Sequence, residues 1–516
     1  MKSLTIEQIE RNPRSQKRDL GRPSSLAIFA FFAAFIAALP LSAQQAKPWE
    51  QIPIPKLHEF KPQQPRRIEL KNGIVLFLQE DHELPFVSGS VLIPGGARDE
   101  DPAKAGLAGL YGQAWRTSGT AKLDGDSLDD LLEAKAAHIE TEGGEDSTTL
   151  GWDSLKGDAD QVFSLAMELL FHPKFSAAKL ELARQQEATA IVRRNDDEGE
   201  IAERESAKLV YGANSPYTRQ PELATIGAVT VDDLQAWHDR TVGGKEGGGK
   251  LIVGVSGDFD PVAMEAKLRA AFEGLPAVKA APARHDLFAG PKPGISFIDK
   301  EDVNQSNVQI VGVGTDRHNP DVPTLAVMND ILGGGFASRL IQKVRTELGL
   351  AYAVGGGFGF SYDHPAAFRV VVLTQSATTV DATKAAMAEI AGLTAKPFTE
   401  EELERAKDSI LNSFLFRYDT RDKVLSEREL LEFYGYPADY LETYKAGLEK
   451  VTLADLNAAA KKYIHPDKLA VLVVGNGPEI NPPLEELKLG PVQPIDIAIP
   501  QPGQQPGKPG APDHKP

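Results

Sequence analysis

The chain has 516 residues, of which 41% are hydrophobic and 25% are charged, so it can bury the cores of several globular domains. Its formal net charge of −17 opposes binding to phosphate backbones, and we therefore expect no nucleic-acid partner. The absence of cysteine excludes disulfides, a thiol nucleophile and a cysteine-ligated zinc site.

The N-terminus has the pattern of an export signal. A basic segment precedes the apolar stretch SSLAIFAFFAAFIAALPLSA, which ends at the small residue Ala43. This apolar run is shorter than a typical membrane span. Residues 1–43 are therefore predicted to be a cleaved signal peptide, which leaves an exported, periplasmic protein without a stable membrane span. The alternative is a protein anchored to the membrane by an uncleaved N-terminal segment.

Strand patterns followed by helical patterns fill the first half of the chain. Residues 44–64 are rich in Pro and Gln and are predicted to be an extended leader. RRIELKNGIVLFLQE then predicts a hairpin with its turn at Asn72-Gly73, and FVSGSVLIPG predicts a third strand. Helical periodicity follows in AGLAGLYGQAWR, DADQVFSLAMELLF and SAAKLELARQQEATAIVRR. This order is typical of α+β layers.

An internal repeat relates the two halves of the chain. The segment Pro173–Arg184 resembles Lys396–Lys407 at a separation of 223 residues, and Val229–Arg240 resembles Val451–Lys462 at 222 residues. Chance similarity between amphipathic helices would explain either match, but not the nearly equal separations. The pattern therefore indicates a duplication.

We predict an α+β fold of two duplicated halves, each an antiparallel sheet with helices packed on one face. The halves comprise residues 65–274 and 295–490, and a Pro-rich linker at residues 275–294 joins them. The last segment, residues 491–516, is rich in Pro and Gly and is predicted to be a disordered tail.

The histidine pattern argues against a helical zinc site. No two of the ten histidines lie three to five residues apart, whereas two imidazole ligands on one helical face need a spacing of three or four. No G-x-S-x-G motif is present either. A site assembled from scattered residues stays open at this point, since Ser, His and Asp residues cannot be grouped without geometry.

The segment LGGGFASRLIQKVRTELGLAYAVGGGFGF, residues 332–360, is the most informative stretch for function. Its glycine-rich turn leads into a helix that carries Arg339 and Arg345 and ends near Gly349, and Tyr352 follows. Consecutive glycines let a backbone approach another molecule closely, and an Arg with a Tyr can bind a carboxylate or a peptide carbonyl. The alternative is a Gly-capped helix that packs on a strand and has no ligand.

Two segments together resemble a known family of enzymes. GGARDEDPAKAGLAGLYGQAWRTSGT, followed later by LGGGFASRLIQKVRTELGLAY, is similar to the insulinase/pitrilysin-type (inverzincin) zinc metallopeptidases, in particular the bacterial branch related to mitochondrial processing peptidase. The resemblance extends from about Arg66 to Gly475. It implies two similar α+β halves that together form half of a clamshell.

The resemblance also implies that this chain lacks the zinc site of the family. In active members a helix carries HxxEH, whose two His bind zinc and whose Glu polarises water, and a distal Glu completes the site. The corresponding positions here hold Gly109, Gly112, Gln113 and Ala190. The resemblance therefore implies no metal or other cofactor in this chain, and a peptidase-like domain that is inactive alone.

A second family feature is retained. Active members place an Arg and a Tyr, seven residues apart, opposite the zinc, and Arg345 and Tyr352 match that spacing. The resemblance implies the zinc-less subunit of a heterodimeric metallopeptidase, in which Tyr352 donates in trans to the oxyanion. Arg345 and the loop residues Gly333, Gly334 and Gly335 would bind the peptide substrate. Zinc is expected in a homologous partner that bears HxxEH.

Two other functions stay open at this stage. One is a structural or peptide-binding scaffold on an inactive peptidase fold, since fold alone does not fix function. The other is a self-sufficient hydrolase with an unrelated site, which would need a catalytic constellation that the sequence does not display.

Overall fold

The computed structural model describes residues 61–243, 248–279, 288 and 290–500. From Lys61 onward the chain is one compact unit. The predicted signal peptide lies outside the described residues, as do residues 44–60 of the leader, residues 280–287 and 289 of the linker, and residues 501–516 of the tail. Among the described helices, none is both long and apolar enough to cross a membrane.

The first half of the described chain begins with strands and continues with helices. Its strands are β1 (Arg66–Glu69), β2 (Val75–Glu80), β3 (Phe86–Pro94), β4 (His138–Gly143), β5 (Ser147–Leu155) and β6 (Ile252–Gly257). Its helices are α1 (Leu107–Ser118), α2 (Gly125–Glu133), α3 (Ala159–Phe171), α4 (Ala177–Arg193), α5 (Glu198–Tyr211), α6 (Leu223–Gly227), α7 (Val231–His238) and α8 (Pro261–Phe272).

These strands form a six-stranded sheet in the order β1-β2-β6-β3-β5-β4. The first two strands are the predicted hairpin, and Gly73 at its turn has a φ of +92°, a conformation that glycine adopts without strain. Neighbouring strands are antiparallel except β2 and β6, which are parallel. Parallel strands need a long connection, and the helical segment between β5 and β6 is part of it. On one face, α1 inserts Tyr111 and Trp115 into the main core.

The second half repeats this order. Its strands are β7 (Gly294–Asp299), β8 (Gln305–Val313), β9 (Thr315–Asp316), β10 (Ala353–Phe358), β11 (Phe360–Ser361), β12 (Ala367–Gln375), β13 (Ala470–Gly475) and β14 (Val492–Pro494). Its α-helices are α9 (Val322–Asn329), α10 (Thr379–Ala395), α11 (Glu400–Arg417), α12 (Arg421–Phe433), α13 (Tyr440–Lys450) and α14 (Leu453–Tyr463). Two π-helical segments, Asp330–Gly334 and Ile341–Glu347, lie between α9 and β10.

The second sheet is also six-stranded, in the order β10-β12-β8-β13-β7-β14. Equivalent helices of the two halves, α7 and α14, begin with the same capping box, at Thr230 and Thr452. The α+β class and the duplication are thus confirmed. Both sheets are mixed rather than wholly antiparallel, because β2 is parallel to β6 in the first sheet and β7 is parallel to both β13 and β14 in the second.

Each half contributes one helix to the sheet of the other half. Helix α5 packs on β8 and β13, where Ile201 joins Leu472 in a buried cluster. In return, α12 packs on β2 and β6, where Leu425 joins Ile252. Each sheet therefore carries helices of its own half on one face, as predicted, and a helix of the opposite half on the other face. This exchange fixes the two halves against each other.

The first ten residues of the segment assigned to the tail are ordered. Val492–Pro494 forms β14 beside β7, and the N–H of Ile495 donates to Phe297 O at 2.8 Å. The side chain of Asn195 in the first half donates to Ile497 O at 2.7 Å. Residues 492–495 thus pair with the second sheet, and Ile497 contacts the first half. The isoleucines of this segment supply apolar contacts that stabilise it despite its high Pro content.

Candidate functional site

Helix α1 is held firmly at its N-terminus by a buried carboxylate. The backbone N–H groups of Gly106 and Ala108 donate to Glu100 at 2.9 and 2.6 Å, which satisfies donors that a helix start leaves free. Burial raises the pKa of Glu100 above its ordinary value, and these two N–H bonds act in the opposite direction. At the other end, Trp115 donates its indole N–H to Leu169 O at 3.0 Å.

The predicted metal positions on α1 differ in the space that surrounds them. Gly109 is open, because a Cβ there would meet no atom within 4 Å, and the side chain of Gln113 is exposed. Gly112 is buried against the edge strand β4, where a Cβ would collide with Gly143 N. A glutamate at position 112 is therefore incompatible with the observed contact between helix and strand.

A hydroxyl group from β4 reinforces that contact. Thr141 Oγ1 donates to Gly112 O at 2.6 Å and accepts from the N–H of Arg116 at 3.2 Å. In a regular α-helix the N–H of Arg116 would donate directly to Gly112 O. Here the hydroxyl of Thr141 bridges these two groups. The middle of α1 is therefore bound to the sheet edge through Thr141.

The fourth predicted metal position, Ala190, is exposed on α4, which packs against α1. It lines an open cleft of about 460 Å³ together with the charged side chains of Glu187, Arg193 and Arg194. Desolvation raises the pKa of Glu187. Nowhere in the described part of the chain do three or more His, Cys, Asp or Glu side chains form a group that could hold a metal ion. The residues present do not fit zinc.

Arg345 lies in the second π-helical segment, and Tyr352 lies directly before β10, at the end of the turn that joins the two. The wider helix is visible in the bond from Leu348 N to Lys343 O at 3.0 Å, which spans five residues. Arg345 is exposed, and the side chain of Tyr352 is 75% exposed. Within the described chain, neither side chain has a hydrogen bond or an ion pair. The backbone of Tyr352 is fixed by a 2.8 Å bond to Leu373 O.

The neighbouring Arg339 has a different role. Its guanidinium makes two bonds to Glu402, at 2.7 and 2.8 Å, and lies over the ring of Phe398 at 5.0 Å. Such a bidentate pair ties the helix start to α11. Of the two arginines that the sequence placed on this helix, only Arg345 is available to a ligand.

The predicted glycine loop packs against a second glycine triplet in β10. A Cβ on Gly333 would lie 2.7 Å from both N and O of Gly356, so position 333 serves this backbone contact. A Cβ on Gly334 would lie 3.2 Å from Asn329 O, and one on Gly335 would come no closer than 3.9 Å to Asp330. Peptide binding by the three glycines stays a prediction, and the freest approach is at Gly335.

Sequence reasoning missed one prominent side chain of this loop. Phe336 directly follows the glycines and is 81% exposed. From the sequence, an apolar residue such as Phe336 is expected to lie in the core. The structure shows instead that this ring faces solvent.

The chain is similar to two family models and to several known proteins. Residues 75–208 match the family model of insulinase (peptidase family M16), and residues 228–410 match that of the peptidase M16 inactive domain. The chain is 25% identical over 407 residues to the "non-peptidase homolog YmxG" of Helicobacter pylori, covering 78% of this chain and 92% of that protein. It is 23% identical to an "uncharacterized zinc protease" of Streptomyces coelicolor, covering 77% and 86%.

Two solved structures share the fold. The crystal structure of a peptidase M16 inactive domain from Pseudomonas fluorescens superposes with a TM-score of 0.71 and 23% identity, covering 80% of this chain and 98% of that one. A protease from Helicobacter pylori superposes with a TM-score of 0.68 and 17% identity, covering 80% and 99%.

Proposed function

Because the chain belongs to the insulinase family of peptidases, family M16, and has an inactive-type peptidase fold, we propose that it is the zinc-less subunit of a heterodimeric peptidase. One observation carries the proposal. The positions of the metal motif hold no ligand and Gly112 has no room for one, yet Arg345 and Tyr352 are exposed and free of partners in the described chain.

The two retained side chains suit the binding of a peptide at its moment of cleavage. The phenol of Tyr352 can donate to an oxygen that gains negative charge, and such donors act mainly on the transition state. The guanidinium of Arg345 presents several N–H donors to a peptide carbonyl or carboxylate. Zinc, when bound in the HxxEH-bearing partner, would supply the activated water, and this chain would orient the peptide and stabilise the oxyanion.

We place this activity in an exported compartment, the periplasm, on the basis of the N-terminal signal pattern. The net charge of −17 fits peptide rather than nucleic-acid substrates. Retention of the apolar N-terminal segment would instead attach the same subunit to the membrane.

A scaffold function is the second candidate. It is favoured by the curated relative described as a non-peptidase homolog. A scaffold, however, gives no reason for an exposed, unpaired Arg and Tyr at the family spacing. The first proposal accounts for both residues.

The test is an affinity purification of the tagged mature chain from its own host. We expect a homologue bearing HxxEH to be recovered in near-equal amount. Recovery of the chain alone, or only with unrelated envelope proteins, would refute the heterodimer and support the scaffold.

A further inference from the structure

A cavity of about 280 Å³ lies in the second half of the chain, between its sheet and its helices. Its walls come from the second sheet, helix α10, the segment after α14 and the end of the linker. They consist mainly of apolar side chains, among them Val313, Phe358, Phe368, Ile390, Ile464 and Leu469. Arg345, Tyr352 and the glycine loop contribute nothing to these walls. The cavity is therefore separate from the site described above.

The polar side chains in the wall are already engaged within the protein. The hydroxyl of Tyr463 donates to Asp321 Oδ2 at 2.7 Å and accepts from Asn319 Nδ2 at 2.9 Å. The Nε2–H of His465 donates to Lys462 O at 3.0 Å. A ligand that brought amide or hydroxyl groups into the cavity would lose their bonds to water and find few partners. The lining therefore favours a purely apolar group.

Lys468 places a positive charge at the opening of this cavity. Its side chain lines the cavity and is exposed to solvent. Among the described residues, Lys468 Nζ has neither a hydrogen bond nor an ion pair. Ligand sites commonly combine an apolar wall with a few polar groups that fix the orientation of the ligand. An apolar cavity with one available ammonium group at its opening thus suits an anion that carries an apolar chain.

The volume of the cavity sets the length of that chain. An apolar cavity of about 150 Å³ holds a benzene ring. A cavity of about 280 Å³ therefore accommodates an aliphatic chain of about ten carbon atoms.

We propose that this cavity binds an aliphatic monocarboxylic acid of about ten carbon atoms, with its chain inside and its carboxylate at Lys468. The apolar chain leaves water for a lining that requires no hydrogen bonds from it. The carboxylate stays at the opening, where it pairs with the ammonium group and keeps part of its hydration. The inference is independent of the proposed function, because it uses neither Arg345 nor Tyr352.

The test is calorimetric titration of the chain, purified from its own host, with decanoate, decanol, decylamine and butanoate. We expect one decanoate to bind per chain. Decanol should bind about fivefold more weakly, because it lacks the charge that pairs with Lys468. Decylamine, whose head group is cationic, should bind more weakly still. Butanoate should bind more than about tenfold more weakly than decanoate, because it buries fewer methylene groups.

Four variants separate the contribution of the cavity from that of the charge. Val313→Phe enlarges a side chain of the wall and should weaken decanoate binding more than about tenfold. Gly312→Val is a second blocking variant, because its Cβ would lie 2.7 Å from the flexible end of Leu469. Lys468→Ala should weaken decanoate binding about fivefold and leave decanol binding unchanged. Lys461→Ala is the matched control, since Lys461 is exposed on α14 but does not line the cavity.

Several results would overturn the inference. These are the absence of saturable decanoate binding, equal decanoate affinity in the wild type and in blocking variants that retain the wild-type thermal midpoint, and equal affinities for decanoate and decylamine. Unchanged decanoate affinity in Lys468→Ala would also overturn it. Tighter binding of an acetylated peptide that ends in Leu would overturn it as well, because the site would then recognise a peptide C-terminus.

Discussion

Gly112 in helix α1 lies against Gly143 in the edge strand β4, so closely that a Cβ on Gly112 would collide with the backbone N of Gly143. The resemblance to the active family members implies that Gly112 holds the position of the glutamate of HxxEH. The packing of this helix leaves no room for a glutamate there.

Rebuilding the motif with Gly109→His, Gly112→Glu and Gln113→His is expected to yield no robust zinc-dependent peptidase. The new glutamate must displace β4, at a cost of about 1–3 kcal/mol in the free energy of unfolding, and Ala190 still lacks a carboxylate. Urea unfolding and peptide turnover check both points. Gly109→His alone is the control and should be tolerated, because its Cβ has open space. Strong zinc-dependent turnover by the triple variant would show that these residues are not the metal positions.

Glu429 on α12 should make stability fall as the pH rises. Its carboxylate is buried between the halves and, among the described residues, accepts a hydrogen bond only from Ser90 Oγ, at 3.0 and 3.1 Å to its two oxygens. Desolvation raises the pKa of Glu429 from about 4.5 to about 8. The folded state therefore holds a proton that the unfolded chain releases above pH 4.5. The contribution of Glu429 to the free energy of unfolding is fully present below pH 4.5. Between pH 4.5 and pH 8 this contribution decreases by about 1.4 kcal/mol per pH unit.

Unfolding experiments between pH 4 and 9 test this expectation. Glu429→Gln should remove this decline. The free energy of unfolding of the variant should therefore increase relative to that of the wild type as the pH increases. Glu432→Gln, on the same helix, is a control of opposite sign. Hydrogen bonds from Arg67 lower the pKa of Glu432 to about 2, with a further contribution from Lys250. Its contribution is present above about pH 4.5 and is lost in acid. Parallel pH profiles for wild type and Glu429→Gln would contradict the assignment.

Two glycines of the loop should differ in their tolerance of a methyl group. Gly333→Ala would place a Cβ 2.7 Å from Gly356 N and O and is expected to destabilise the protein by about 1–3 kcal/mol. Gly335→Ala meets nothing closer than 3.9 Å and should leave the thermal midpoint nearly unchanged. Equal losses in the two variants would mean that the packing of the two glycine triplets is unimportant.

Replacement of Arg339 should lower the stability of the protein, whereas replacement of Arg345 should lower the activity of the assembled pair. Arg339→Ala removes the bidentate partner of Glu402 and is expected to cost about 2–4 kcal/mol of folding free energy. Arg345→Ala removes an exposed side chain and should change stability by less than about 0.5 kcal/mol. In the assembled pair, Arg345→Ala should instead raise KM. A large loss of stability on replacing Arg345 would assign it a structural role.

Local signals made much of the fold predictable from the sequence. The hairpin at Asn72-Gly73 follows from the conformational preference of the turn itself, and the duplication follows from two sequence matches. The exchange of α5 and α12 between the halves was not predictable, since it depends on contacts between elements that lie far apart in the sequence, in opposite halves of the chain. The Pro and Gly content of residues 491–516 predicts disorder, whereas apolar contacts of the alternating isoleucines hold residues 495–499 against the protein.

The site was predictable only in its residue types. The spacing of Arg345 and Tyr352 is visible in the sequence, but their lack of partners in the described chain, and the ion pair that occupies Arg339, require the structure. Likewise, the amino-acid sequence does not show that Gly333 packs on β10 and that Gly335 does not. Such differences depend on tertiary contacts rather than on local propensity.

The central claim is that this chain supplies Tyr352 to the active site of an HxxEH-bearing partner. The most direct test compares peptide hydrolysis by the purified partner alone, by the partner mixed with the wild-type chain, and by the partner mixed with the Tyr352→Phe chain. We predict high activity only for the wild-type pair, and a kcat about 10²–10³-fold lower with Tyr352→Phe although the two chains still associate. Equal hydrolysis by the Tyr352→Phe pair, or by the partner alone, would contradict the account.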